Sequence, residues 1–548
     1  MVVITCKDIC YHDPYRWLSL PRWWRLIRHL LVTMIRKGTS DVAKRNGFID
    51  QCEQEQLHLS GAIQPHGALV VANLQGVVSH VSENIVELLG VGAHLEQSLV
   101  EQSLVEQLLD QPLPAFLQEV YESAVLVEAG ERYVGQGNIG DQEVDVVMSH
   151  NGEQLVFELY PVDAHADPMP VVGEAYPVPD STPALQAQCQ QLLDELLALS
   201  GFDRVLYYRF MPEGDGEVCA EARRAEVAGS YVGLRFPASD IPQIARQLYF
   251  KNPWRSIPNA GAEPVAIVGR TAASVPNLSW VDLRSVSPIH QEYMANMGVG
   301  AAISLPINQA GELAALISCH SATPRQLTVS QLQAMSKLSE AFNLRLRDYR
   351  TRRRLQVLDG MQRHFEHAKN VLMRHGELAS AWPELSGWLM DTFAADGVIL
   401  QVEGDCYQAG EVLSAAGIDV VIEAARFEAS PVWISDSLPA DCIDMPLSEI
   451  AGVAVVSDLP LGQHHTVNLY LCRLEHLYEV TWGGNPDKPV DYRDGNSAIA
   501  PRRSFEAWVE QRVGFSRPWS ASTRMYLLKL RTLLQQAKSF AWTKDEKE

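Results

Sequence analysis

The sequence lacks the cysteine patterns that mark metal sites and disulfide frameworks. Its nine cysteines, at positions 6, 10, 52, 189, 219, 319, 406, 442 and 472, form no Cys-x-x-Cys pair and no compact cluster with histidine. A structural zinc site needs such spacing, and a disulfide scaffold needs a short chain dense in cysteine. The sequence therefore predicts no metal site, and a reducing, cytoplasmic location suits its thiols best.

Catalytic motifs and an excess of positive charge are missing too. No phosphate-binding loop of the Gly-x-x-x-x-Gly-Lys-Ser/Thr kind, no protein-kinase signature and no Gly-x-Ser-x-Gly elbow occurs, so we expect no catalytic module in this chain. The formal net charge is −22, with 45 Lys and Arg against 67 Asp and Glu. Because phosphate contacts need a basic surface, nucleic acid is not an expected partner.

The chain has no uninterrupted apolar run long enough to cross a membrane. The segment WLSLPRWWRLIRHLLVTMIRKG comes closest, but Arg22, Arg25 and Arg28 interrupt it, and no small-residue cleavage site follows. Residues 1–45 carry nine basic and three acidic residues. We interpret them as an extension, with a basic amphipathic helix on an anionic membrane surface as the less favoured alternative.

A chain of 548 residues is too long for one hydrophobic core, and its patterns predict several mixed units. Short apolar runs typical of strands alternate with helical stretches, and a proline-rich connector separates the first two units. The fold class is therefore α+β with antiparallel sheets. The predicted division is a basic extension at 1–45, a first domain at 46–165, a linker at 166–183, a second domain at 184–327, a connecting helix at 328–375, a third domain at 376–520 and a terminal helix at 521–548.

The connecting helix gives the longest helical signal. Thr328 and Gln331 match a capping box, and apolar residues then recur at three- and four-residue steps as far as Leu372. So long a helix must pack along its length. It could bridge two domains, pair with its copy in a second chain, or do both.

The densest group of candidate site residues surrounds residues 235–259, RFPASDIPQIARQLYFKNPWRSIPN. Asp240 lies between two proline-bearing turns, where an N-cap is the plainer interpretation. Arg255, Arg284 and His290 follow other turns, and each by itself suits a surface salt bridge. Together, two arginines and a histidine favour a ligand with two carboxylates and a polar centre, since guanidinium groups bind carboxylates bidentately.

Several long motifs resemble one family in the same order along the chain. The sequence is similar to the bacterial phytochromes over about residues 45–540, on Cys52 in its segment and on six motifs: IQPHGALVV, FPASDIPQIARQLY, DLRSVSPIHQEYMANMGVGAAISLPI, LISCH, WGGNP and PRRSFEAW. The resemblance implies a PAS–GAF–PHY core with a knotted PAS–GAF junction and a PHY tongue at about 476–518. It implies a red/far-red photoreceptor that binds biliverdin IXα and switches by Z/E photoisomerisation.

The resemblance also gives a role to Cys52. Plant and many cyanobacterial relatives attach the bilin through a cysteine directly before the histidine at position 290, and that residue is Ile289 here. The bacterial subgroup uses a cysteine upstream of the PAS domain, the place that Cys52 occupies. Cys319 is an alternative thiol beside a histidine, but it lies on a predicted strand, where a buried core thiol is the better interpretation.

The remaining site residues follow from the same resemblance. Arg255 and Arg284 should pair with the two propionates, with help from Ser287 and Ser304, although Ala302 stands where relatives often have serine. The main-chain carbonyl of Asp240 and His290 should accept the pyrrole N–H groups. His320 should hydrogen-bond the carbonyl of the D-ring, and Tyr208, Phe236 and Tyr249 should form the aromatic walls around that ring. Ile241 is also assigned to the pocket.

The tongue is expected to latch onto this pocket. Arg502 should pair with Asp240 in the dark state, and Ser504 should replace it after the tongue refolds from hairpin to helix. The resemblance further implies a homodimer through the long helices and an output module or response regulator as partner. The alternatives are a PAS/GAF sensor of another small ligand that does not respond to light, and the sensory part of a signalling enzyme such as a histidine kinase.

Overall fold

The computed structural model describes sixteen ranges of the chain, from Gln56 to Gln536. These ranges are 56–88, 107–123, 130–139, 142–162, 176–212, 214–271, 274–375, 378–402, 405–428, 430–442, 444–461, 465–486, 490–491, 498–499, 505–520 and 522–536. Cys52, Arg502 and Ser504 lie outside them, as does the basic extension.

The first unit is a sheet with helices on one face. Alternating apolar residues on its strands, including Val70, Val146 and Phe157, bury one face against helix residues such as Leu117. The spacing Gly135-x-Gly137-x-x-Gly140 matches the pattern of a dinucleotide-binding loop. Gly135 and Gly137 lie inside a strand and not at a strand-to-helix turn, so this is not a nucleotide-binding loop. The elements are β1 (Ala62–Ile63), β2 (Ala68–Asn73), β3 (Val78–Ser82), α1 (Ile85–Leu88), α2 (Ala115–Ser123), β4 (Arg132–Ile139), β5 (Gln142–His150) and β6 (Gln154–Pro161).

The second unit begins with a capped helix and forms its own sheet. Ser181 caps the helix by accepting a hydrogen bond from the amide of Ala184, so the helix starts before the boundary predicted at 184. The sequence Gln-Ala-Gly at 309–311 predicts a hairpin turn between two strands. The structure confirms this turn, with positive φ at Ala310 and Gly311. The elements are α3 (Thr182–Ser200), β7 (Arg204–Phe210), β8 (Gly216–Arg223), β9 (Arg235–Phe236), α4 (Gln243–Leu248), β10 (Arg255–Ile257), β11 (Val265–Gly269), α5 (Pro288–Asn296), β12 (Ala301–Gln309) and β13 (Glu312–Ser321).

The first and second units share a sheet. Strand β11 of the second unit pairs antiparallel with β1 on one side and with β3 on the other, giving the order β1-β11-β3-β2-β6-β5-β4. The backbone of Gln64 and Ser285 adds hydrogen bonds across the same junction. The chain therefore interleaves here, as the expected knotted junction requires.

Helix α6 (Val329–His375) joins the second and third units as one 47-residue helix. Its capping box is confirmed, because Gln331 N donates to Thr328 Oγ1 at 3.2 Å and Thr328 N donates to Gln331 Oε1 at 3.0 Å. Its first half packs into the second unit through residues such as Met335 and Phe342, and its second half packs into the third through residues such as Phe365. A single helix therefore contributes to two cores, as a bridge between domains must.

The third unit is a five-stranded antiparallel sheet of order β15-β14-β18-β17-β16, and a long hairpin extends from it. The hairpin strands, β19 and β22, join the sheet of the second unit through a parallel bridge between Trp482 and Arg235. Among the helices that the structure describes, none is long and apolar enough to cross a membrane. The elements are α7 (Leu378–Phe393), β14 (Gly397–Val402), β15 (Asp405–Gly410), α8 (Ala415–Phe427), β16 (Val432–Ser435), α9 (Leu438–Asp441), β17 (Ile450–Leu461), β18 (His465–Leu474), β19 (Tyr478–Gly483), β20 (Val490–Asp491), β21 (Ala498–Ile499), β22 (Ala507–Arg512) and α10 (Thr523–Gln536).

Candidate functional site

A cavity of about 250 Å³ lies in the second unit, between its sheet and the segments that cross over the sheet. It is closed by the 3₁₀ turn Ala238–Asp240, by α4 and by α5. All eleven predicted pocket residues that the structure describes line this one cavity: Tyr208, Phe236, Asp240, Ile241, Tyr249, Arg255, Arg284, Ser287, His290, Ser304 and His320.

One end of the cavity carries two arginines. The guanidinium of Arg255 donates to the main-chain carbonyls of Asp282, Arg284 and Ser285, which hold it in place. Arg284 is buried, and among the described residues its Nη1 has no hydrogen-bond partner. Burial and then the nearby charge of Arg255 lower the pKa of Arg284 from 12.5 to about 9. This end therefore holds a buried positive charge that an anionic ligand would compensate.

Tyr249 belongs to this polar end. Its side chain hydrogen-bonds Ser304, and Arg255 and Arg284 act on it electrostatically, while burial raises its pKa. The sequence had grouped Tyr249 with the aromatic walls, and the structure differs because α4 ends at Leu248 and leaves Tyr249 facing the arginines. Ala302 also lines the cavity and adds no polar group, as the sequence indicated.

Two histidines line the middle and far side of the cavity, where the side chain of His290 is exposed to the cavity and that of His320 is half-buried, with protein atoms around both rings. The pKa of His290 falls to about 4 through burial and then through the charge of Arg255, and the pKa of His320 also falls to about 4 through burial, with smaller effects of Arg204 and His290. Both imidazoles are therefore neutral at pH 7, so each ring can donate from one nitrogen and accept at the other. His320 lies 2.9 Å through Nε2 from the hydroxyl of Ser318.

Aromatic side chains form the other end. Tyr208 lies edge-on to Phe210 with ring centres 5.3 Å apart, and it lies 6.0 Å from Phe236. Sequence reasoning missed Tyr231, whose ring is 6.4 Å from Phe236, and Tyr293, whose ring stacks on His290 at 6.0 Å. His290 and Tyr293 are three residues apart on α5 and so lie on one face of the helix, a signal that could have identified Tyr293.

Cys319 faces away from the cavity. Its thiol is fully buried in the core of the second unit, and burial raises its pKa to about 12. Its neighbour His320 faces the cavity, because successive side chains of β13 point to opposite faces. The interpretation of Cys319 as a core thiol is therefore confirmed.

The β19–β22 hairpin packs against the outside of the cavity wall. Trp482 is fully buried, its Nε1 donates to Glu510 Oε2 at 2.7 Å, and the chain enters β22 through Phe505. The ring of Phe505 lies edge-on to Tyr293 at 5.2 Å, and the Tyr293 hydroxyl donates to Asp240 Oδ2 at 3.2 Å. The hairpin therefore contacts the wall that contains Asp240.

Comparisons with known proteins agree with this architecture. Three family models match the chain: a PAS fold at 52–162, a GAF domain at 184–346 and a phytochrome region at 362–539, and none of the three describes a catalytic domain. The last match begins inside α6. These three domains in one chain, with the cavity described above in the GAF domain, define a phytochrome photosensory core.

Proteins with similar sequences indicate which group of phytochromes this chain resembles. The chain is 31% identical to a bacteriophytochrome of Pseudomonas aeruginosa over 88% of this chain and 66% of that protein. It is 30% identical to one of Xanthomonas campestris over 89% of this chain and 78% of that protein. The chain thus spans about two thirds of the length of the Pseudomonas relative. Its fold matches a bacteriophytochrome structure from R. palustris (26% identity, 88% and 98% coverage) and the Stigmatella aurantiaca phytochrome photosensory core module (29% identity, 88% and 97% coverage), each with a TM-score of 0.71.

The chain belongs to the bacteriophytochrome family. Its PAS, GAF and phytochrome-region domains are those of a phytochrome photosensory core, and the family implies a bilin chromophore.

Proposed function

We propose that this chain is a red/far-red photoreceptor that binds biliverdin IXα in the GAF cavity through a thioether to Cys52. The observation that carries the proposal is that Nη1 of buried Arg284, beside Arg255 and opposite an aromatic end, has no hydrogen-bond partner among the described residues. The carboxylates of a dicarboxylate with a long conjugated body would pair with the two arginines, and the conjugated body would pack against the aromatic end. When bound, biliverdin supplies visible absorption and a double bond that isomerises between Z and E in light.

The residues divide the pocket into a clamped part and a permissive part. Arg255 and Arg284 hold the carboxylates, with Tyr249, Ser287 and Ser304 beside them. The neutral ring of His290 and the carbonyl of Asp240 accept pyrrole N–H groups, and His320 donates to the carbonyl of the terminal ring. Aromatic walls offer shape without directional bonds, so movement is confined to the ring that lies between them.

The proposal includes a latch between Asp240 and the tongue, with Arg502 as its dark-state partner and Ser504 as its partner after light. Support comes from Phe505, which packs on Tyr293, the residue that donates to Asp240. Loss of one partner from a buried acid–arginine pair leaves an uncompensated charge. Formation of the pair can therefore favour one state of the tongue over the other. The described tongue is a β hairpin, the form proposed for the dark state.

Signal output is proposed to pass through the long helices of a homodimer to an output module or response regulator. Exposed apolar side chains on α6, including Leu344 and Leu355, suit a helix-to-helix interface. A cytoplasmic location is part of the proposal, and it is supported by the six cysteines in the described ranges, all of which are free thiols.

Co-expression with a haem oxygenase, which supplies biliverdin, tests the pigment and its attachment. The purified protein should absorb in the red, change its spectrum after red light, and show a zinc-fluorescent band in a denaturing gel. Cys52→Ser should keep the pigment but lose the band, whereas the matched control Cys319→Ser should keep both. A colourless protein would refute the function, and a band in Cys52→Ser would refute the attachment site.

A further inference from the structure

A fully buried carboxyl group connects the PAS sheet to the arginine end of the cavity. Glu158, on β6, has no exposed surface. Its Oε2 accepts hydrogen bonds from the Tyr160 hydroxyl at 3.0 Å and from the main-chain amide of Leu283 at 2.7 Å. Leu283 lies between Asp282 and Arg284, so this carboxyl group holds the main chain that carries the clamp.

Titratable and charged groups face Glu158 from each element packed around it. Arg132 on β4 has Nη2 at 3.9 Å from Oε1, Tyr160 lies on the same strand, and Asp282 and Arg284 lie on the crossing segment. His66 lies behind Tyr160, with ring centres 5.8 Å apart.

Several polar atoms of Glu158 and Arg132 lack a hydrogen-bond partner among the described residues. These atoms are Oε1 of Glu158 and both Nε and Nη1 of Arg132. Buried polar atoms in native proteins nearly all have a hydrogen-bond partner, so the unbonded Oε1 of Glu158 is unusual. This oxygen can gain a proton without the loss of an existing hydrogen bond.

Asp282 extends the network to Arg255. Its Oδ1 accepts from the amide of Ser256 at 2.8 Å and its Oδ2 accepts from Trp254 Nε1 at 3.1 Å. Its main-chain carbonyl accepts from Arg255. Glu158 and Asp282 are thus two buried carboxyl groups that share the field of three buried or partly buried arginines.

We propose that Glu158 is a positioning residue of the arginine clamp, and that binding of a dicarboxylate at Arg255 and Arg284 is coupled to uptake of a proton by Glu158. The inference rests on the proposed function, because the dicarboxylate is the bilin. It adds a protonation step in the PAS domain to binding in the GAF domain.

The direction of the coupling follows from electrostatics. The pKa of Glu158 is raised to about 7, chiefly by burial and also by the charge of Asp282, against the lowering effects of Arg132, the amide of Leu283 and Tyr160. Ligand carboxylates bring negative charge beside Arg284, so they favour the protonated form of Glu158 further. By reciprocity, protonated Glu158 favours ligand binding by the same factor.

The proton site can be tested without pigment. Infrared spectra of the apo protein, recorded between pH 5 and 9, should contain a protonated-carboxyl C=O band that titrates near neutrality. Glu158→Gln keeps an oxygen acceptor for Leu283 but cannot exchange a proton, so it should lose this band. Glu153→Gln, an equal charge change at an exposed position just before the same strand, should keep it. The same titrating band in Glu158→Gln would overturn the proposal.

The coupling can be tested with biliverdin in the dark, in proteins that all carry Cys52→Ser so that binding stays reversible. Affinity is followed by quenching of tryptophan fluorescence from pH 6 to 8. As the pH rises, the affinity of the parent and of Glu153→Gln for biliverdin should fall more steeply than that of Glu158→Gln. The extra fall should be up to about tenfold per pH unit, the slope for uptake of one proton. Equal slopes in all three would overturn the coupling. Failure of all three to bind would instead refute the proposed function, while the infrared titration would still decide the proton site.

Discussion

Arg284 offers the sharpest test of the anion-binding end, because its replacement should stabilise the protein without pigment. Arg284→Met retains much of the side-chain volume and removes a charge whose Nη1 has no hydrogen-bond partner among the described residues. The pKa of Arg284 falls from 12.5 to about 9, mainly through burial. Below pH 9 the guanidinium is protonated in the folded and unfolded protein alike, so the full cost of burying its charge is present at pH 7.

The magnitude follows from that shift. At about 1.4 kcal/mol per pKa unit, the lowered value corresponds to a cost of roughly 5 kcal/mol, which is an upper bound because relaxation of the protein and entry of water reduce the cost of burying a charge. Replacement of buried ion pairs by apolar residues stabilises other proteins by about 1–4 kcal/mol. We therefore expect the apo form of Arg284→Met to gain about 1–4 kcal/mol in urea unfolding followed by circular dichroism.

Arg255→Met is the matched control and should act in the opposite direction. Arg255 donates to three main-chain carbonyls, and its loss leaves buried acceptors unsatisfied, at about 1–3 kcal/mol each. Biliverdin should stabilise the parent more than Arg284→Met, because only the parent has the buried guanidinium of Arg284 to pair with a carboxylate of the pigment. Destabilisation of apo Arg284→Met by as much as Arg255→Met would refute the reasoning.

Three further predictions concern the aromatic end and the histidine. A Cβ on Gly216 would lie 1.9 Å from the ring of Tyr208, so Gly216→Ala should push that ring into the cavity, slow pigment uptake and cost about 1–3 kcal/mol; pigment uptake at the parent rate would contradict this. A Cβ on Gly483 would lie 2.6 Å from the ring of Phe236, so Gly483→Ala should alter the extent of photoconversion, measured by absorbance, and should leave unfolding of the PAS unit unchanged. His290→Ala removes an acceptor for the pigment's N–H groups, so red absorbance should bleach at a less alkaline pH than in the parent, and an unchanged titration curve would argue against that role.

Local features were readable from the sequence because short-range chemistry determines them. The capping box of Thr328 and Gln331 and the hairpin at Ala310 and Gly311 each depend on residues within three positions of one another. The pocket residues were found through motifs that the chain shares with a known family.

Long-range packing decided the rest. No periodicity predicts that β11 enters the sheet of the first unit, that Tyr249 faces the arginines, or that Phe505 reaches Tyr293. Glu158 reads as an ordinary polar residue of a strand, yet it is fully buried because a segment 125 residues further along the chain covers that face of the sheet. Burial and charge proximity in three dimensions set its protonation, and the residues responsible are distant in sequence, so only the tertiary structure could reveal them.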